Sequence, residues 1–220
     1  MTLSKNASYH PSSWTSIRFV QAKDEKDVER ICHSTFYGGD GFPLPSLIGY
    51  LWSTWYVRYA SEHSFVGTDS QNTAVGYALS TVDTLAYLQH FSQSMTPLIQ
   101  GSLMELKRTH PQVHQQFAHE FRHVHHVYHL ENMKQVCQDY PAHIHVDILP
   151  GFQGQGLGKA LMNHLLCHLD SFGVKGSHLI VGDENKRAVK YYQSSGYTIL
   201  LDSQDGIPGC FVMGRLRENV

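Results

Sequence analysis

The residues with the clearest potential for binding chemistry form a short Gly-rich segment at 153–159, Gln-Gly-Gln-Gly-Leu-Gly-Lys. Glycines let a backbone approach a ligand closely, and the first N–H groups of a helix bind anions. Lys159 adds a positive charge at the same place. The spacing does not fit the two common phosphate loops, because Gln153 stands where a Walker A loop needs glycine and the dinucleotide spacing of glycines is missing. The segment predicts an anion-binding turn of another type, or a tight strand-to-helix turn that binds nothing.

Three polar side chains share one face of the strand that is predicted just before this turn. In Ala-His-Ile-His-Val-Asp-Ile-Leu (142–149), the alternation places His143, His145 and Asp147 opposite the apolar residues. Polar groups on a buried strand are costly unless they are paired or line a cavity. Because a histidine beside an aspartate can accept a proton from a substrate, we expect Asp147 and His145 to be catalytic. The alternative is a set of hydrogen-bonded structural side chains. Further candidates follow the next predicted strand: Asp183 and Glu184.

A different chemistry is suggested by His119-Glu120-Phe121-Arg122-His123, which matches the HExxH motif of zinc hydrolases. The surrounding segment is rich in histidine, so this pattern arises easily by chance. A longer form of the motif needs glycine at position 126, where the chain has His126. We interpret the segment as a solvated helix face that binds zinc or nickel adventitiously, and we predict no dedicated metal site.

The elements that must position these residues follow from the hydrophobic pattern. Strands are predicted at 16–21, 64–67, 73–81, 142–149, 177–182, 197–201 and 210–216. Helices are predicted from Asp24, with Asp27 completing a capping box, from Ser46 to about His63, from Leu157 to Leu169, and over 185–195. The segment 83–140 is polar, rich in Gln and His, and helical in pattern, so we expect it to be an insertion.

The composition limits the classes of protein to consider. Of 220 residues, 41% are hydrophobic and 16% charged, which supports one large domain and excludes a disordered chain. The formal net charge of −2 argues against wholesale binding to nucleic acid or an anionic membrane. The four cysteines are dispersed, and the sequence shows no apolar leader and no stretch apolar enough to span a membrane. We therefore expect a cytoplasmic location, with the nucleus as an alternative.

The Gly-rich segment and a second pattern downstream together resemble the GNAT superfamily of N-acetyltransferases. Gln153-x-x-Gly156-x-Gly158, after a strand that ends in Pro150, resembles the acetyl-CoA loop of that family. The second signature is matched by these residues: Asn185, Ala188, Tyr192, Gly196 and Tyr197. The run at 140–162 is also similar to the acetyltransferase-like domain of O-GlcNAcases and its free-standing microbial relatives.

The resemblance implies the α/β GNAT fold, with helices on both faces of a mixed, mostly antiparallel sheet of about seven strands. The sheet should splay between its fourth and fifth strands. It also implies an acetyl-CoA-dependent N-acetyltransferase that transfers the acetyl group directly to an amine in a ternary complex and releases CoA. Tyr192 takes the family position of the general acid, whereas Tyr191 is out of frame. The implied cofactor-binding residues are Ile148, Leu149, Gln153, Gly154, Gln155, Gly156, Leu157, Gly158, Lys159, Asn185, Ala188 and Tyr192.

The same resemblance gives an outline of the chain as one acetyltransferase domain. It would have a loose tail at 1–14, a helical insertion at 83–140 and an acetyl-CoA-binding core at 142–201. The acceptor surface would come from the insertion and the loops at 36–46 and 202–209. We expect the acceptor to carry an amine and to be a small amine, a peptide or an amino sugar. We expect no nucleic-acid or membrane partner. The expected oligomeric state is a homodimer. Two alternatives remain: an inactive acyl-CoA-binding sensor or scaffold module, and a zinc hydrolase using His119, Glu120 and His123.

Overall fold

The computed structural model describes residues 13–36, 41–115, 131–205 and 207–217. Seven strands form one sheet in the order β1-β2-β3-β4-β5-β7-β6. The strands are β1 (Ser16–Phe19), β2 (Phe65–Thr68), β3 (Ala74–Thr81), β4 (Ala142–Ile148), β5 (Gly176–Gly182), β6 (Thr198–Leu201) and β7 (Cys210–Leu216). Neighbours pair antiparallel except β4 and β5, which are parallel. The predicted α/β class, with a mixed and mostly antiparallel sheet of seven strands, is confirmed.

The helices pack on the two faces of this sheet. They are α1 (Glu25–Thr35), α2 (Pro45–Trp52), α3 (Thr54–Tyr59), α4 (Thr84–Ser94), α5 (Thr96–Thr109), α6 (Glu131–Asp139), α7 (Leu157–Ser171) and α8 (Lys186–Ser194). Short 3-10 turns lie at Ala22–Asp24, Ser61–His63 and Pro150–Phe152. Across the ranges that the structure describes, no helix combines the length and apolar character that a bilayer crossing requires.

Two helix boundaries differ from the sequence prediction. A 3-10 turn precedes α1, and the capping box joins Gln21 and Asp24 instead of Asp24 and Asp27; the Asp24 carboxylate accepts the Gln21 N–H at 2.8 Å. The predicted helix from Ser46 to His63 is divided at Ser53, whose φ of −136° is not helical. The division lets α2 and α3 pack separately against α1.

The core is divided by the sheet. On one face, α1–α5 bury the largest cluster, which includes Tyr77 and Leu79 of β3. On the other face, α7 packs Leu161 and Leu165 against Ile144 of β4, and α8 adds Val189. The face of β4 that carries His145 and Asp147 therefore looks toward α1–α3, as the alternation of the sequence predicts.

The described parts of the segment 83–140 are helical, because α4, α5, residues 111–115 and α6 fall within it. Helix α5 buries Ile99 and Leu106 in the cluster that also contains α2. Helix α6 packs elsewhere, with Met133 against Val212 of β7. The HExxH residues at 119–123 lie outside the described residues.

Candidate active site

The sheet opens between β4 and β5. The two parallel strands pair only at Ala142–Ser177 and His143–His178. Beyond His143 the strands diverge, while β5 continues to pair with β7 as far as Gly182. The later half of β4 consequently has a strand partner on its β3 side alone among the described strands. This gap is the splay between the fourth and fifth strands that the resemblance to the GNAT superfamily implies.

The Gly-rich turn follows directly after this open edge. Gly154 and Gly156 have φ angles of 75° and 81°, a region that side chains disfavour. A Cβ added at either glycine would meet no atom within 4 Å, so the outer surface of the turn is open. The first helical hydrogen bond of α7 runs from Ala160 N–H to Gly156 O (3.0 Å). The N–H groups of the preceding first-turn residues are therefore oriented for an anionic ligand.

Close packing fixes where this helix begins. The Leu157 side chain lies against two glycines on neighbouring strands, Gly67 of β2 and Gly76 of β3. A Cβ added at Gly67 would come within 2.4 Å of Leu157 Cδ1, and one at Gly76 within 3.1 Å of Leu157 Cδ2. Glycines at both positions thus let the start of α7 sit directly on the sheet, beside the end of β4.

Further hydrogen bonds tie the turn to its surroundings. The Gln153 side chain donates to Ile148 O at 2.9 Å and accepts from Arg187 at 3.2 Å. Trp14 Nε1 donates to Gln155 O at 3.0 Å. The predicted cofactor residues Ile148 and Gln153 are thereby brought together with a cationic side chain that sequence reasoning did not select.

Asn185 caps the helix that carries the predicted acid. Its side chain accepts the Ala188 N–H at 3.1 Å, which satisfies one of the free N–H groups at the start of α8. Tyr192 lies seven residues after Asn185, so the two residues occupy the same side of the helix. The second signature therefore includes Asn185, the N-cap of α8, and Tyr192, which lies about two turns later on the same side of that helix.

The adjacent tyrosines Tyr191 and Tyr192 have different environments. The Tyr191 hydroxyl donates to Gly158 O at 2.7 Å, and burial raises the pKa of Tyr191 to about 12. Tyr192 is half-buried, and its hydroxyl has no hydrogen-bond partner in the described part of the chain. Burial, and then the charge of Asp147, raise the pKa of Tyr192 well above its ordinary value. Tyr192 is therefore a protonated phenol with an available hydrogen, whereas Tyr191 joins α8 to α7.

A hydrogen-bonded group lies on the face of β3 and β4 that looks toward α1–α3. Tyr77 donates its hydroxyl to Asp147 Oδ2 at 2.6 Å, and His145 Nε2 lies 3.0 Å from the same oxygen. His145 Nδ1 lies 3.0 Å from Trp52 O. Burial lowers the pKa of His145, but the charge and hydrogen bond of Asp147 outweigh it and the pKa is raised overall. The predicted pair His145 and Asp147 is brought together, and Tyr77 is an additional member.

His143 has a different environment from His145. It lies between the Tyr56 hydroxyl and the Thr84 hydroxyl, with Nδ1 at 3.0 Å from Thr84 Oγ1. Burial, followed by the neighbouring histidines, lowers its pKa well below the ordinary value. His143 is therefore a buried, neutral, structural residue. Of the two histidines on this face of β4, His145 is the more exposed and the one that lies beside a carboxylate.

Cys32 and Tyr77 could not be found from local patterns. The Cys32 thiol on α1 lies beside the Tyr77 hydroxyl and Ser53, and burial raises its pKa to about 12. Tyr77 pairs with Asp147 in the register of β3 and β4. The one available signal was a tyrosine in the otherwise apolar and small strand Ala-Val-Gly-Tyr-Ala-Leu.

A family model described as "Acetyltransferase (GNAT) family" matches residues 26–197. "Protein O-GlcNAcase" of Mus musculus is 27% identical over 187 residues, which cover 82% of this chain and 20% of that protein. "Mycothiol acetyltransferase" of Beutenbergia cavernae is 45% identical over 60 residues, or 27% of this chain and 20% of that protein. The structure described as "Crystal structure of SsHAT" has a TM-score of 0.74 and 26% identity, and the match covers 93% of this chain and 98% of that one.

These matches differ in extent. The matched region spans about a fifth of the length of either curated relative, whereas the likeness to SsHAT extends over nearly the whole of both chains. The family model includes both the Gly-rich turn and the helix of Tyr192.

Proposed function

The chain belongs to the acetyltransferase (GNAT) family, and from this premise we propose that it is an acetyl-CoA-dependent N-acetyltransferase with direct transfer to an amine. The observation that carries the proposal is the arrangement around the gap in the sheet. A protonated phenol, Tyr192, stands on the α8 side, and the pair His145–Asp147 stands on β4. The charge of Asp147 contributes to the raised pKa of Tyr192. These features support a site with one proton donor and one proton acceptor.

The Gly-rich turn fits the anionic part of acetyl-CoA. The open space outside Gly154 and Gly156 admits a pyrophosphate, and the N–H groups at the start of α7 would hold it. Arg187, which donates to Gln153, and Lys159 in the first turn of α7 add positive charge near this turn. The edge of β4 that faces β5 has no strand partner beyond His143, so its backbone groups on that side are open to an extended chain. When bound, the molecule supplies an acetyl group activated as a thioester.

The protein would supply the proton transfers. His145 Nε2, paired with Asp147, would accept a proton from the amine and so free its lone pair for attack. Tyr192 would donate its hydroxyl proton to the departing sulfur. As the amide forms, its nitrogen would lose a second proton, which returns Tyr192 to the phenol through solvent, and His145 would release its own proton to solvent. Because its pKa is raised, Tyr192 holds its hydroxyl proton throughout the neutral range. The tetrahedral centre forms and collapses between these two groups, with no covalent bond to the protein.

Amine-dependent release of CoA tests the proposal. Purified protein is incubated with acetyl-CoA and single amines from three sets: small amines, peptides with free N-termini or lysine, and amino sugars. Free thiol is measured over time, and acetyl-CoA binding is measured separately by calorimetry. Binding together with amine-dependent thiol release supports the enzyme. Binding without release by any amine favours the inactive acyl-CoA module, and absence of binding rejects both.

A further inference from the structure

The side chains around the predicted base include a third group that the acetyl-transfer proposal does not use. Cys32, His145 and Asp147 each offer one atom that could bind a metal ion, and these three atoms lie within 4.8 Å of one another. Cys32 is held by α1, and the other two residues by β4. A thiol, an imidazole and a carboxylate are the three ligand types that zinc takes in proteins. We call these residues the Cys32–His145–Asp147 cluster.

The orientation of His145 is the one that a metal ligand requires. Because Trp52 O can only accept, the hydrogen of the neutral ring lies on Nδ1, at 3.0 Å from that carbonyl. The lone pair of Nε2 then faces Asp147 Oδ2 at 3.0 Å. Two acceptor atoms at this distance repel each other unless a proton or a metal cation lies between them. A backbone carbonyl on the second nitrogen is also the usual support of a metal-bound histidine.

The geometry points to a zinc site formed by Cys32, His145 and Asp147, and we propose that this chain binds zinc there. Bonds of about 2.0 to 2.3 Å to a tetrahedral ion place ligand atoms about 3.3 to 3.7 Å apart. The ligand atoms of the cluster lie within 4.8 Å of one another, so a pair at that limit has to approach by about 1 to 1.5 Å, and the Nε2–Oδ2 pair at 3.0 Å has to separate by about 0.3 Å. His145 and Asp147 are 29% and 24% exposed, which gives an ion access from solvent. The fourth position would hold water or a ligand. Coordination would displace the proton of the Cys32 thiol to solvent.

A consequence for activity rests on the proposed function. Zinc would occupy the Nε2 lone pair that is proposed to accept the proton of the amine. Zinc and acetyl transfer would then exclude each other, and the ion would act as a reversible inhibitor. The expectation of no dedicated metal site comes from discounting the HExxH pattern. Cys32 lies more than 100 residues from His145 and Asp147, so no local motif indicates this cluster.

Cobalt titration of the reduced, full-length protein tests the site without any need for turnover. A thiolate bound to Co²⁺ produces a charge-transfer band in the near ultraviolet, which the 16 histidines of the chain cannot produce. We expect this band to saturate at one cobalt per chain and to disappear when Zn²⁺ is added. Cys32→Ser should abolish the band. The matched control is Cys167→Ser, since Cys167 is an exposed cysteine on α7, and that variant should keep it. A wild-type protein without the band, or a band that survives in Cys32→Ser, overturns the proposal.

Two further variants cover the case in which Cys32→Ser does not fold. His145→Gln and Asp147→Asn each remove one ligand and leave the thiol in place. Each should weaken cobalt affinity at least tenfold, and unchanged affinity in both rejects the site. Zinc inhibition of turnover, relieved in Cys32→Ser, is measured as a separate arm. A cobalt band in a protein without amine-dependent turnover supports the metal site and refutes the acetyltransferase proposal, so the two can fail independently.

Discussion

Replacing Tyr192 with phenylalanine removes the hydroxyl that is proposed to protonate the leaving sulfur. Loss of a general acid lowers a rate by about 10²- to 10⁴-fold, which corresponds to about 2.7 to 5.5 kcal/mol in the barrier. The hydroxyl has no hydrogen-bond partner in the described part of the chain, so its removal leaves no buried group unpaired. We therefore expect kcat to fall by at least about 10²-fold, with little change in melting temperature or in acetyl-CoA affinity.

Tyr191→Phe is the matched control, because it removes the same atom from the preceding residue. This change breaks the hydrogen bond to Gly158 O and should cost about 1 kcal/mol of unfolding free energy, or roughly 2 to 4 °C in melting temperature. Its turnover should stay near that of the wild type. We therefore expect opposite results from the two variants. Tyr192→Phe should lose rate and keep its stability, whereas Tyr191→Phe should lose stability and keep its rate.

The assay is thiol release with an amine from the screen, at saturating acetyl-CoA, for wild type and both variants. Calorimetry gives the acetyl-CoA affinity of each, and thermal unfolding gives the melting temperature. Unchanged kcat in Tyr192→Phe would refute the acid role. An equal loss of rate in both variants would show that the helix position, and not the phenol of Tyr192, is what matters.

Three other predictions concern the turn, the base and the pH dependence of stability. Gly156→Ala places a side chain at a φ of 81°, which costs about 1 to 2 kcal/mol of strain, and calorimetry should show weaker acetyl-CoA binding. The control is Gly173→Ala, which introduces a similar strain at a φ of 70° at the end of α7 and should leave acetyl-CoA binding unchanged. Asp147→Asn should lower amine-dependent kcat at least about 10²-fold without loss of acetyl-CoA binding, and full activity would exclude Asp147 from the base. Burial lowers the pKa of His178 to about 4, so between pH 4 and about 6.5 the unfolded chain binds more protons. Unfolding free energy should accordingly fall by up to about 3 kcal/mol as pH drops through this range, and urea unfolding of His178→Gln should show a flatter profile.

The sheet could be predicted from the sequence to within a few residues. The sequence predicts β7 at 210–216, and the strand is Cys210–Leu216; it predicts β4 at 142–149, and the strand is Ala142–Ile148. Alternation is a local property of the chain, so it can be read without knowledge of the neighbours. The prediction of one helix from Ser46 to His63 is wrong at Ser53, where the chain breaks into two short helices that each pack on α1. No pattern within the segment records that contact.

The sequence by itself identified those candidate site residues whose positions depend only on the geometry of one segment. The Gly-rich turn follows from the spacing of glycines in one short segment. The distinction between Tyr192 and Tyr191 follows from the resemblance to the second GNAT signature, whose positions are spaced along one helix. The alternation of β4 likewise placed His145 and Asp147 on one face.

Only the tertiary structure decided which of these groups could act together. His143 and His145 are equivalent in the sequence pattern, but Tyr56 and Thr84 enclose the first, while Asp147 and the Trp52 carbonyl hold the second. Cys32 and Tyr77 reach the same place through the docking of α1 and the register of β3 with β4. Such contacts join residues that are distant along the chain. They depend on how elements pack in space, and the periodicity of each element carries no information about its partner.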